Sequence, residues 1–351
     1  MSLLYAEVEE ELRATVRQAL AGSADPWRAL AVDIGCAGLA VPEDRGGAGA
    51  SWREVAVVAE ELGRAVAALS TATVPFLGTT LATAALLAVE PTELLAKMAS
   101  GTVTVVFVAP LSTPPGAPPH DSVRPDGSAT AASLTGVVAS VADAAAADVL
   151  LVPTQSGLFA VDAADARVVP VVSLDQTRPL CDVTFDAAPA TLVGDPGAAS
   201  GAWKSALMTG AVVLASDQLG VATWCLESTL DYVKGRYQFA RPVGSFQAVK
   251  HRLAQLWVEV TQARAVARYA ANCLADGDPD SAVAASLAQA HCGPVAVRAA
   301  EECVQLHGGI GFTWEHPAHW YLKRAKSSAI ALGTAAQHRA ALGALVDLPS
   351  R

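Results

Sequence analysis

Residues 201–235 run without a proline, which leaves room for one unbroken helix of about 50 Å at 1.5 Å per residue. The run ends in Tyr232-Val-Lys-Gly-Arg-Tyr-Gln-Phe-Ala-Arg-Pro-Val-Gly-Ser-Phe-Gln-Ala-Val-Lys-His-Arg-Leu-Ala254, which reads as a helix end, a tight turn and the start of a second helix. Asp276-Gly-Asp-Pro-Asp280 separates that second helix from a third. Gly308-Gly-Ile-Gly311 breaks the chain before a helix over 316–331, and a last helix is expected over 335–346.

The first hundred residues also read as helical. Val8, Leu12, Val16 and Leu20 recur four apart and make one apolar stripe. Pro26 suits a first helical position. Ser51 and Glu54 have the spacing of a capping box, opening a helix that runs through Glu60-Glu-Leu-Gly63. Helices continue over 72–99, with Pro91-Thr-Glu opening the last. At Thr102 the character changes. Val103–Val108, Val137–Val141, Val149–Val152, Leu158–Val161, Val168–Val172 and Val183–Phe185 are short β-branched runs set between Gly, Pro and Asp. The expected division is an N-terminal helical domain over 1–102, a middle β domain over 103–199 and a helical domain over 200–351. The fold class is α+β.

Charge is uneven. Residues 1–199 hold 10 Lys and Arg against 23 Asp and Glu, a net of -13. Residues 200–351 hold 14 against 11, a net of +3, so an anionic ligand sits more easily against the C-terminal part. The overall charge of -10 argues against a general nucleic-acid binder. None of the six cysteines forms a C-x-x-C pair, and free buried thiols in a reducing cytoplasm are expected. The N-terminus lacks a basic n-region, no stretch reads as a membrane span, and no G-x-S-x-G or P-loop occurs.

Around the turn after residue 235, Arg236, Phe239 and Gln247 offer a fixed cation, an aromatic face and an amide that both donates and accepts. That set suits a nucleotide cofactor. The stretch resembles the acyl-CoA dehydrogenase family, whose members carry Y-x-x-x-R-x-x-F-G-x-x-[IL]-x-x-[FH]-Q here. Gln305-Leu-His-Gly-Gly-Ile-Gly-Phe312 resembles the family's Q-x-x-G-G-x-G-[FY], and Pro42-Glu-Asp-Arg-Gly-Gly-Ala-Gly49 its P-E-x-x-G-G-x-G. The resemblance covers essentially the whole chain and implies a C-terminal four-helix bundle. It implies FAD at a subunit interface, with Arg236 on the pyrophosphate, Phe239 beside the adenosine part and Gln247 hydrogen-bonded to the cofactor. Gln305, Gly308 and Gly309 would contact a flavin shared across the dimer, and Thr334 of Gly333-Thr334 would touch it too. The implied partners are an acyl-CoA substrate, another acyl-CoA dehydrogenase chain in a homo- or heterotetramer, and an electron-transfer flavoprotein.

The chemistry implied is α,β-dehydrogenation of an acyl-CoA, with a carboxylate as base. Here the sequence departs. The two positions that usually hold the acid are Leu332 and Gly210, and no Asp or Glu lies between Glu315 and Asp347 or between Asp195 and Asp217. Ala240 replaces the usual glycine of the turn. The flavin-facing T-E-P becomes Val108-Ala-Pro110, and Ser140 stands where an aromatic usually covers the flavin. The expectation is a FAD-binding subunit without its own base, resembling the base-less chain of actinobacterial heteromeric steroid-CoA dehydrogenases. Two alternatives stand beside it. One is a self-sufficient dehydrogenase with Glu227 or Asp231 as relocated base. The other is a non-catalytic structural or acyl-CoA-binding protein. His316 and His319 are a weak metal pair without a third ligand, Glu315 reads as a capping residue, and Glu301-Glu302 as an exposed helix face. Lys250 and His251 read as solvated or subunit-facing.

Overall fold

The structure is a computed structural model and describes residues 3–89, 92–128 and 131–348. Pro91, expected to open a helix, lies outside them. The N-terminal helices are α1 (Glu7–Gly22), α2 (Pro26–Arg28), α3 (Trp52–Arg64), α4 (Phe76–Leu87) and α5 (Glu93–Ala99). Seven strands follow: β1 (Val105–Phe107), β2 (Val123–Ser128), β3 (Ala131–Ala142), β4 (Val149–Thr154), β5 (Gly157–Asp162), β6 (Arg167–Val171) and β7 (Leu180–Val193). The chain then forms α6 (Ala199–Gly235), a two-strand turn of β8 (Tyr237–Gln238) and β9 (Arg241–Pro242), α7 (Gln247–Asp276) and α8 (Ser281–His307). The last two helices are α9 (Ala318–Ser328) and α10 (Ala335–Leu345).

The sheet runs in the order β1-β4-β5-β7-β3-β2, with β6 also paired to β7. Only β1–β4 is parallel, and β1, β4 and most of β5 are buried on both faces, Phe107 and Leu151 in a core shared with α4 and α6, Val106 and Leu150 in a core of the β domain itself. The proline-free run becomes one helix of 37 residues, and α7 and α8 extend for 30 and 27. The fourth member of the bundle is not one long helix but two short ones. Leu332 and Gly333, at φ 52° and 100°, turn the chain between α9 and α10. Pro294 lies inside α8, and the Ala290 carbonyl it leaves free accepts from Arg339 Nη1 at 3.4 Å.

The capping box at Ser51 and Glu54 forms, with Arg53 N–H donating to Ser51 Oγ and Ser51 N–H to Glu54 Oε2. Along α1 the apolar stripe is only partly used. Val16 and Leu20 are buried but Val8 is 67% exposed. Glu9 points inward instead, ion-paired to Arg53 at 2.6 Å.

Helices α3 and α6 cross at two glycines. A Cβ on Gly63 would overlap the Asp217 carbonyl, and one on Gly220 would overlap the Glu60 carbonyl. Because backbone carbonyls cannot move aside, Gly220→Ala is expected to lower stability by about 1–3 kcal/mol through overpacking. Urea unfolding monitored by circular dichroism would show it, and an unchanged midpoint would contradict this packing.

Candidate functional site

Two groups of sequence-predicted residues are placed by the fold, and they lie at different ends of α6. The first surrounds the end of that helix. Arg236 caps α6, donating its N–H to Tyr232 O at 2.8 Å and accepting from Val243 N–H at 2.7 Å. Residues 236–241 are all exposed, Phe239 by 88%. The Arg236 guanidinium has no carboxylate partner among the described residues. Phe239 and Ala240 both take left-handed backbone, at φ 53° and 61°, a conformation costing a non-glycine residue about 1–2 kcal/mol. The Arg241 guanidinium lies 3.8 Å over the Phe246 ring, and Gln247 opens α7 with its side chain exposed.

A stack of rings ties the second motif to this turn. Tyr232 stacks on His307 at 4.4 Å, and His307 lies 4.1 Å from His316. His307 is oriented by its Nδ1, 2.7 Å from the Cys303 carbonyl. The next residue, Gly308, has φ 64° and ψ -137°, a conformation open essentially to glycine alone. Open space surrounds the points where Cβ atoms on Gly308 and Gly309 would stand, so their backbone can be approached closely. Gly311 has a different role: a Cβ there would meet the Val304 carbonyl at 2.5 Å. Arg236, Phe239, Gln247, Gln305, Gly308 and Gly309 thus share two neighbouring exposed turns.

The other group is a closed slot. Gly210 on α6 faces Leu332 directly: a side chain on Gly210 would begin 2.5 Å from Leu81 Cδ2 and 3.0 Å from Leu332 Cδ1. Leu332 is 1% exposed and packs in one cluster with Leu77, Leu81, Phe107, Trp203 and Leu214. Its N–H donates to the Leu111 carbonyl at 2.6 Å, and its own carbonyl accepts from His338 Nε2 at 2.9 Å. Burial pushes the His338 imidazole below its ordinary pKa. Residues 110–120 strap this region from outside. Trp203 Nε1 donates to Ala117 O at 2.7 Å, and a Cβ on Gly333 would stand 2.8 Å from Pro114. Thr334 lies on this side, capping α10 with Gln337.

A cluster that no pattern in the sequence announces joins residues 175–178, α6 and α9. Asp217 accepts from Arg324 at 2.7 Å and from Arg178 at 3.2 Å. Arg324 also reaches Thr177 and Asp175, and Arg178 donates to Ser328. Burial opposes ionisation of Asp217, but the two guanidiniums outweigh it and hold its carboxyl below the usual range. Asp143, buried against the Gly78 N–H, is pushed the other way by loss of water.

The remaining candidates disperse. Glu227 is paired with Arg64 at 2.6 Å on the surface, and it lies about 25 Å along α6 from Gly210 at 1.5 Å per residue. Asp231 is one turn further away. Glu315 does not cap α9: the N–H of Ala318 is taken by His316 Nδ1 at 3.2 Å. His319 packs its ring edge on Trp314 at 4.7 Å, and no group of three metal-ligating side chains occurs among the described residues. Glu301 pairs with Lys326 and Glu302 with Arg252, while Lys250 and His251 are exposed. All six cysteines are free and buried. Pro196–Gly235 is long and apolar enough to cross a membrane, but 94% of its apolar window is buried inside the protein.

Comparison with known proteins decides the family. The profile of the acyl-CoA dehydrogenase N-terminal domain matches residues 4–102, and that of the C-terminal domain matches residues 201–346. Acyl-CoA dehydrogenase IpdE2 of Mycolicibacterium smegmatis is 37% identical over 92% of this chain and 88% of its own. The chain belongs to the acyl-CoA dehydrogenase family. Among solved structures, the Tcur3481-Tcur3483 steroid ACAD G363A variant superposes with a TM-score of 0.82 at 29% identity, over 97% of this chain and 98% of that one. A chain of the ChsE4-ChsE5 complex from Mycobacterium tuberculosis superposes with a TM-score of 0.83 at 25% identity over 100% of both. Acyl-CoA dehydrogenases bind FAD. The exposed turns suit it chemically, since an unpaired guanidinium and two open glycine backbones are what a diphosphate requires.

Proposed function

We propose that this acyl-CoA dehydrogenase chain is the base-less subunit of a heteromeric enzyme that desaturates an acyl-CoA thioester. It would hold FAD on its exposed turns for a partner acyl-CoA dehydrogenase chain that brings the carboxylate. The observation that carries this reading is the slot. Both positions that usually present the acid hold Gly210 and Leu332, which pack against each other under Leu81. A side chain on Gly210 would run into both leucines. The relatives lean the same way, since two of the similar structures are named as pairs, a steroid ACAD and the ChsE4-ChsE5 complex. A steroid-CoA thioester is the substrate we favour on that likeness. A cytoplasmic assembly of two chains of each kind, passing electrons to an electron-transfer flavoprotein, completes the proposal.

When bound, FAD supplies the hydride acceptor. The residues of this chain would do the holding: Arg236 offers a bidentate pair of donors to the diphosphate, Gly308 and Gly309 their open backbone, Phe239 a face for the adenosine part, and Gln247 and Gln305 amide hydrogen bonds. Thr334, whose hydroxyl is already engaged with Gln337, would contribute least. Arg236→Ala in the co-expressed pair is expected to reduce bound flavin at least tenfold while leaving the assembly intact. Absorbance and light scattering on the same sample would read both. Full flavin content in that variant would contradict the assignment. The relocated-base alternative gains nothing from the structure, because Glu227 is both remote from the slot and paired.

A further inference from the structure

Behind the stack of Tyr232, His307 and His316 lies a pair of thiols that the cofactor turns do not use. Cys225 stands on α6 and Cys303 on α8, both fully buried in one core cluster with Ala222 and Ala299. Their side chains are hydrogen-bonded to each other. Cys303 Sγ also lies 3.6 Å from His307 Nδ1, one helical turn further on. The flanking rings of Tyr232 and His316 are only half-buried, so the pair sits behind a partly exposed layer of rings. Among the described residues the other four cysteines, Cys36, Cys181, Cys273 and Cys292, have no hydrogen-bonded thiol partner, and burial pushes each of them up. Cys303 moves the opposite way, held down first by its hydrogen bond with Cys225 and then by that with His307, while burial pushes Cys225 up. One thiol poised as a thiolate beside a second that keeps its proton is the arrangement in which two cysteines oxidise together.

We propose that Cys225 and Cys303 are a modification site, converted by a hydroperoxide to a reversible disulfide that ties α6 to α8. The Cys303 thiolate attacks one peroxide oxygen and the O–O bond breaks. The leaving hydroxide takes the proton that Cys303 gave up and departs as water, and the sulfur is oxidised to a sulfenic acid. The Cys225 sulfur then attacks that sulfur, the S–O bond breaks and the S–S bond forms. The Cys225 proton leaves with the displaced hydroxide as a second water. Two thiols and one peroxide thus give one disulfide and two waters, and a dithiol reductant reverses the change. The bond joins the helix that leads into Arg236 to the helix that leads into Gly308. The site stands whether or not the chain pairs with a partner.

The test treats the full, reduced chain with hydrogen peroxide, alkylates the remaining thiols and maps all six cysteines by mass spectrometry of the digest. A peptide pair cross-linked through Cys225 and Cys303 is expected to appear at least about tenfold faster than oxidation at any other cysteine, and to vanish with dithiothreitol. Cys225→Ser is expected to stop the reaction at Cys303 as a sulfenic acid that dimedone traps, and Cys303→Ser to leave Cys225 reduced. The wild-type map decides the matter even where a serine variant folds poorly. An unreacted pair, oxidation that begins at another cysteine, over-oxidation of Cys303 without the cross-link, or a cross-link that forms only after urea unfolding would each overturn the proposal.

Discussion

Leu332→Glu is expected to destabilise the protein by about 3–5 kcal/mol, as an unpaired charge does in a buried site, and to create no dehydrogenase. The side chain is buried in an apolar cluster with Leu77, Leu81, Trp203 and Leu214, and it has no ion-pair partner at hand among the described residues, since Arg178 and Arg324 are already held by Asp217. Its neighbour His338 already donates through Nε2 to the Leu332 carbonyl. The Leu332 N–H is already held by the Leu111 carbonyl at 2.6 Å. Restoring the acid therefore restores neither space nor donors. Leu332→Met, which conserves volume, is expected to cost under about 1.5 kcal/mol. Urea unfolding of both variants, with acyl-CoA-dependent dye reduction in parallel, measures the two effects. Appreciable turnover by the Leu332→Glu chain alone would mean that the slot opens in solution.

Asp217→Ala is expected to cost at least as much, about 3–5 kcal/mol, because it strands two buried guanidiniums at once. Arg178 comes from the segment before β7, Asp217 from α6 and Arg324 from α9, so the cluster clasps the sheet to the bundle. The effect should appear as lost cooperativity between sheet and bundle in hydrogen exchange as well as a lowered midpoint. Acid provides an independent check. Asp217 is depressed in the folded state, so its contribution is present above the unfolded carboxylate pKa of about 3.9 and disappears as pH falls below it. Asp143 is raised, so its contribution is complete below that value and declines as pH rises through its folded pKa. Removing Asp217 should therefore flatten the acid limb of the stability profile. An unchanged acid limb would show that the clasp carries little stability.

The order of helices, strands and long helices was legible because each signal is local. A proline-free run, alternating β-branched stretches and glycine-marked ends need no knowledge of distant residues. Strand β2 escaped because Val123-Arg-Pro-Asp-Gly-Ser128 reads as a turn. It forms at the sheet edge, where Pro125 can pair with Leu134 without a donor. Val8 misled because one stripe position was surrendered to Glu9, whose partner Arg53 lies 44 residues away. In the candidate site, the turn residues and the positions Leu332 and Gly210 came from the resemblance to the family's motifs. That these two touch, with Leu81 over them, could not be read, since it depends on where α4, α6 and the α9–α10 connection meet. The Asp217 cluster was hidden for the same reason. Its charges are scattered over 150 positions, from Asp175 to Arg324, and each reads alone as a surface residue.

The central claim is that this chain contributes a cofactor-binding face and no base. The most direct test is to purify the chain alone and together with a base-bearing acyl-CoA dehydrogenase partner, and to compare flavin absorbance and acyl-CoA oxidation. The account predicts a nearly colourless, inactive single chain and a yellow, active pair that loses its flavin on Arg236→Ala in this chain. A single chain that retains stoichiometric flavin and oxidises an acyl-CoA unaided would contradict it.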